Sequence, residues 1–140
     1  MTNAQLVGRK LAALVEFSAR ARKRRPASAQ VLADDTERQD ALGMALLVAI
    51  QEAIDLAFHI VTDERWGTPQ SYADGFDMLA QRGVISDELA RAMIRANGLR
   101  NRLAHGYASV DAQRLWAELP DGLDALDEYA RSIATFSSGA

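Results

Sequence analysis

Apolar residues recur along most of the chain at helical spacing, and turn or capping residues interrupt them at a few places. Leu6, Val7, Leu11, Leu14, Val15 and Phe17 predict a first helix, from an N-cap at Asn3 to about Arg25. Pro26 breaks it, and residues 27–33 read as a loop or loose turn. A second helix is predicted from Asp34 to about Asp63, with Asp35 and Glu37 suited to its N-terminal dipole. Between Ala41 and Val61 this segment is apolar almost all round, as expected of a helix buried in a bundle. Its one polar strip is Gln51, Asp55 and His59, spaced by four, with Glu52 beside it.

Thr68-Pro69 reads as an N-cap and first helical residue of a short third helix carrying Tyr72, Phe76 and Leu79 and ending at Gly83. Ser86 caps a fourth helix reaching about Ala104, stopped by Gly106. Asp111 caps a fifth segment with Leu115, Trp116 and Leu119, which Pro120 kinks or restarts. Leu123, Leu126, Tyr129, Ile133 and Phe136 mark the last amphipathic helix, and residues 137–140 read as a tail. No strand alternation or internal repeat is present. The expected fold is all-α: a single domain over residues 1–140, an up-and-down bundle of five to six helices.

Composition narrows the functional classes. With 140 residues and no cysteine, the chain has neither a disulfide framework nor a thiolate metal site. Two histidines make a poor metal site, so no metal or other cofactor is expected. No uninterrupted apolar run of membrane-spanning length and no signal-peptide core is seen, and the chain reads as soluble and cytoplasmic, without a membrane partner. Net charge is −3, but residues 1–33 hold seven basic groups against the single acid Glu16. A globally basic nucleic-acid binder is excluded, while a local basic surface is not. The run Arg20-Ala21-Arg22-Lys23-Arg24-Arg25 fits RNA contact, a solvated helix end favoured by the dipole, or docking onto the acidic segment around Asp121–Glu128 or onto an acidic partner. Trp66 and Trp116 read as packing anchors near helix ends.

One arginine stands apart. On a wheel of about 100° per residue from Leu89, the residues Met93, Ala96, Leu99 and Leu103 lie near one apolar stripe. Arg91, Arg95 and Arg102 face the other way, but Arg100 lands about 20° from Leu89, inside the stripe. A guanidinium pointed at the packed side is costly unless it is partnered or lines a cleft. His105, five residues on, would lie about 140° away on an ideal helix. Either the helix ends and redirects the imidazole, or the site gathers groups from two chains. Asn101, four before His105, is a natural orienting partner.

The stretch Leu99-Arg100-Asn101-Arg102-Leu103-Ala104-His105-Gly106-Tyr107 resembles the R-x4-H-x-Y signature of the HEPN superfamily, and of HepT-like toxins in particular. Gln51 to Ile60, Tyr72 to Leu79 with Gly83-Val84-Ile85, and Val110-Asp111 with Leu115-Trp116 resemble that family's other blocks, so the likeness runs over about residues 34–136. The resemblance implies a HEPN-like bundle, a homodimer, and a metal-independent endoribonuclease. That nuclease would be the toxin of a type VII HepT/MntA-like module whose partner is a minimal nucleotidyltransferase antitoxin. It also implies that Tyr107 is the tyrosine to which the partner transfers AMP.

The chemistry is consistent with that implication. RNA carries its own nucleophile, an imidazole with a free pKa near about 6.5 can move protons at neutral pH, and a guanidinium can clamp a phosphate. His105 is then the expected acid or base, Arg100 the phosphate clamp and Asn101 an orienting group. Gln51, Asp55 and His59 are candidates to hold Arg100 in place, although His59 reads equally as a satisfied polar residue. A non-catalytic helical subunit that docks to a nucleotidyltransferase is the alternative from a different class.

Overall fold

The computed structural model describes residues 2–105 and 111–139. They form α1 (Ala4–Arg24), α2 (Ala29–Ala33), α3 (Thr36–Asp63), α4 (Tyr72–Gln81), α5 (Asp87–His105) and α6 (Ala112–Ser138). No strand occurs among the described residues. The all-α bundle anticipated from the periodicity is therefore observed.

The apolar stretch of α3 occupies the centre. α1, α4, α5 and α6 each pack against it, and α2 closes the end between α3 and α6. Leu42, Leu46, Ile50, Ile54, Leu56 and Ile60 are fully buried there. Each such side chain contributes about 1.5–3 kcal/mol relative to an exposed one. Among the described residues α3 is the one helix long and apolar enough to cross a membrane, with a window of mean hydropathy 1.8, of which 56% is buried in the bundle. Tyr129 of α6 crosses the core, stacking edge-on against Phe76 at 5.7 Å and donating its hydroxyl proton to the Ala53 carbonyl at 2.8 Å. Burial pushes the Tyr129 phenol well above its ordinary pKa.

Helix starts follow the capping residues. The Asn3 side chain accepts from the Gln5 and Leu6 amides, Asp35 from Arg38, and Asp111 from Gln113 and Arg114. Four local expectations need correction. Residues 27–33 are not all loop: Ser28 caps the single turn α2, too short for periodicity to register, and Leu32 seals it into the core. α4 starts at Tyr72 rather than at Thr68-Pro69. The Ser71 hydroxyl accepts from the Asp74 amide at 3.0 Å while the Asp74 carboxylate reaches back to the Gln70 amide at 2.9 Å, so this reciprocal pair outcompetes the Thr-Pro signal. The last helix runs on to Ser138 instead of ending before residue 137.

Fourth, Pro120 does not restart the helix: α6 runs through it. Proline has no N–H to give the Trp116 carbonyl one turn back. Arg25 supplies the missing donor, its Nε lying 3.1 Å from that carbonyl. Its guanidinium also covers the Trp116 ring at 3.9 Å, and the indole Nε1 donates to the Pro26 carbonyl at 2.9 Å. Trp116 is thus the packing anchor it was expected to be. Trp66 likewise packs against the core, edge-on to Phe136 at 5.8 Å. Arg22 reaches Asp127 at 2.8 Å and Asp124 at 3.3 Å, and Arg20 pairs with Glu16 at 2.7 Å. Arg22 and Arg25 thus dock the end of α1 onto α6, while Arg20 pairs within α1.

Candidate active site

α5 begins where the Ser86 hydroxyl accepts from the Leu89 amide at 3.0 Å, with Asp87 and Glu88 in its first turn and Arg102 and His105 in its last, each sign matched to the helix dipole. Leu89, Met93, Ala96 and Leu103 are buried, which fixes the helix's rotation against the bundle. That rotation carries Arg100 toward α3 and α4. Its Nη2 donates to the Gln51 Oε1 at 2.9 Å, its Nη1 to the Asn101 Oδ1 at 3.2 Å, and its guanidinium lies 5.3 Å from the Tyr72 ring centre.

All three contacts are with neutral groups. Among the described residues no carboxylate pairs with Arg100, and its buried Nε has no hydrogen-bond partner. The positive charge is therefore held in place without being neutralised, an arrangement that favours an anion as the missing partner.

The supporting contacts form a chain with a direction. Asp55 Oδ1 accepts from Gln51 Nε2 at 3.0 Å, and Lys10 Nζ lies 3.3 Å from Asp55 Oδ2 and 3.6 Å from Glu52. A carboxylate only accepts, so Asp55 draws the amide nitrogen of Gln51 to itself and leaves the amide oxygen for Arg100, which only donates. Lys10 comes from α1, far away in sequence, and no spacing signal could have found it. Tyr72 falls in one of the blocks that resemble the family, where its spacing marks it only as an apolar position of an amphipathic helix. His59 faces elsewhere, with its Nδ1 3.9 Å from Asp63.

His105 is the last residue of α5 and is exposed. Because the helix continues through it, the imidazole leaves the helix about 140° from Arg100. Helical spacing alone therefore does not bring the two groups together. Tyr107 lies outside the described residues. Among those residues no three His, Asp or Glu side chains gather as a metal site.

A family model described as ribonuclease HepT-like matches residues 11–133. The chain belongs to the HepT-like ribonuclease family. It is similar to the tRNA nuclease HepT of Aphanizomenon flos-aquae, 29% identical over 91 residues that make 65% of this chain and 62% of that protein. It is also similar to the mRNA nuclease HepT of Shewanella oneidensis, 34% identical over 77 residues, 55% of this chain and 58% of that one. The chain thus spans between half and two thirds of the length of the curated relatives it matches. Among solved structures, the tri-AMPylated Shewanella oneidensis HEPN toxin in complex with MNT antitoxin superposes with a TM-score of 0.85 at 24% identity, covering 96% of this chain and 99% of that one. A toxin–antitoxin crystal structure with AMP-PNP gives 0.83 at 23% identity, covering 95% and 99%. These likenesses establish the HEPN toxin fold for this HepT-like chain.

Proposed function

We propose that this HepT-like chain is a metal-independent endoribonuclease, acting as the toxin of a toxin–antitoxin module. The observation that carries the reading is the Arg100 guanidinium, locked between Gln51, Asn101 and Tyr72 with no carboxylate among the described residues opposing its charge. RNA supplies a matching anion and its own nucleophile. The 2′-oxygen attacks the adjacent phosphorus, the bond to the 5′-oxygen of the next nucleotide breaks, and a 2′,3′-cyclic phosphate remains. Arg100 stabilises the negative charge that builds on the non-bridging oxygens. His105 accepts the proton from the 2′-hydroxyl or delivers one to the departing 5′-oxygen. Asn101 steadies the guanidinium from the side opposite Gln51.

Arg100 and His105 leave α5 in different directions, so the working site needs groups from two protomers, and the active species is a homodimer with the two motifs facing a shared cleft. The antitoxin is a minimal nucleotidyltransferase that transfers AMP to Tyr107. A phosphodiester placed two residues from His105 would put fixed negative charge where the RNA phosphate must bind. The solved Shewanella relative is described as tri-AMPylated and bound to its MNT antitoxin, which supports this mode of control.

Incubation of the purified chain with RNA in EDTA tests the reading. Wild type is expected to cut and leave 2′,3′-cyclic phosphate ends, with Arg100→Ala and His105→Ala each at least about a hundredfold slower. Cleavage that requires a divalent cation, or that persists in His105→Ala, would refute it. Co-expression with the antitoxin should add AMP-sized mass increments that Tyr107→Phe abolishes, and persistence of those increments would remove Tyr107.

A further inference from the structure

A groove of about 440 Å³ opens beside Arg100 between α4 and α5, bordered by Phe58, Pro69, Gln70, Tyr72, Asn97 and Asn101. Its size falls within the roughly 300–1,000 Å³ of small-ligand sites. It shares Asn101 and Tyr72 with the guanidinium, so it begins where the proposed phosphate position ends. Two of its walls are aromatic: Phe58 and Tyr72 meet edge-on at 5.8 Å and 64°. Gly75 leaves room for the Phe58 ring, since a Cβ there would lie 2.9 Å from it. Asn97 stands one helical turn before Asn101 on the same face of α5. Its Oδ1 is buried without a hydrogen-bond partner among the described residues. Gln51, Asp55, Arg100 and Asn101 bond to one another, but this amide oxygen is unused.

We propose that the groove is a nucleobase subsite, taking the base of the nucleotide whose phosphate rests on Arg100. The proposal rests on the ribonuclease reading above. The aromatic edges and Pro69 give the flat, apolar contact that an unstacked base needs, and such contact tolerates any base. Asn97 adds discrimination once its carboxamide turns from its buried position toward the groove: it then presents a donor and an acceptor side by side, matching the paired acceptor and donor of one base edge better than the others. Asn97 is thereby a specificity-determining residue and Arg100 the anchor that sets the register. The enzyme would then select its cutting position at the level of a single base, in single-stranded RNA.

Two measurements on the full-length chain test this. The first sequences the ends produced from a random-sequence RNA by wild type, Asn97→Leu and Phe58→Leu. Wild type is expected to show a base preference at one position flanking the cut. In Asn97→Leu, kcat/KM for the preferred base should fall about tenfold while that for the other bases is unchanged. Phe58→Leu should lower all bases together. The second measures saturation transfer by NMR to the base protons of AMP, GMP, CMP and UMP, which requires no cleavage; wild type should favour one base, and in Asn97→Leu the transfer to that base should fall to the level of the others. Melting curves and far-UV circular dichroism confirm that each variant is folded. An unchanged cleavage preference and unchanged nucleotide contacts in folded Asn97→Leu would overturn the subsite, as would a wild type with neither. Nucleotide contacts that depend on Asn97 in a protein that leaves RNA intact would keep the subsite and refute the nuclease reading.

Discussion

Replacing Arg25 with alanine should destabilise the fold in a way that depends on a residue nearly a hundred positions away. The Arg25 Nε is the donor that replaces the N–H missing at Pro120, at 3.1 Å from the Trp116 carbonyl, and the same guanidinium covers the Trp116 ring at 3.9 Å. A hydrogen bond from a charged donor contributes about 1.5–3 kcal/mol, and a partly exposed cation over an indole about 0.5–1 kcal/mol. Arg25→Ala should therefore lose about 2–4 kcal/mol. In a Pro120→Ala background the new alanine N–H takes over the carbonyl, and only the stacking contribution of about 0.5–1 kcal/mol is left to lose. The double-mutant cycle should accordingly show a coupling of about 1.5–3 kcal/mol between the two positions. Urea unfolding of the four proteins, compared at constant m-value, measures it. Equal costs of Arg25→Ala in both backgrounds would refute the idea that Arg25 is what lets α6 pass through its proline.

The remaining expectations concern the site and the core. Asp55→Asn allows the Gln51 amide to turn and present its nitrogen to Arg100, so kcat/KM for RNA should fall about tenfold with stability changed by less than about 1 kcal/mol; undiminished activity would sink the directional chain. Lys10→Met should show a smaller loss in the same assay, because it frees one Asp55 oxygen and leaves the other on Gln51. Tyr129→Phe removes a buried hydrogen bond and should cost about 1 kcal/mol at neutral pH. Because burial raises the Tyr129 phenol above its ordinary value of 10.0, the folded state keeps a proton that the unfolded chain releases. Wild-type stability should therefore begin to fall above about pH 10, and Tyr129→Phe should lack that part of the decline; identical alkaline profiles would contradict it.

Much of this protein is legible in its sequence, and the exceptions have physical causes. The apolar run of α3 and the one-sided pattern of α5 specify a bundle and its core, because burial of many methyl groups dominates the local choices. The anomalous position of Arg100 is visible on the wheel for the same reason: a charge in an apolar stripe is conspicuous. Local competition is harder to read. Thr68-Pro69 and Ser71 both offer helix starts, and the Ser71–Asp74–Gln70 exchange decides between them. Pro120 reads as a kink or a restart because its compensation comes from Arg25, across the bundle. Lys10 and Asn97 carry no signature of their own, since what singles them out is a distant Asp55 in one case and an unpaired buried oxygen in the other.

Mixing two inactive proteins tests the central claim most directly. Arg100→Ala keeps His105, and His105→Ala keeps Arg100, so a dimer of one with the other contains one intact site if the two groups come from different protomers. Subunit exchange between them should restore RNA cleavage to about a quarter of the wild-type rate, since about half the dimers are mixed and each has one of two sites. A mixture as inactive as its components, despite demonstrated exchange, would contradict the account.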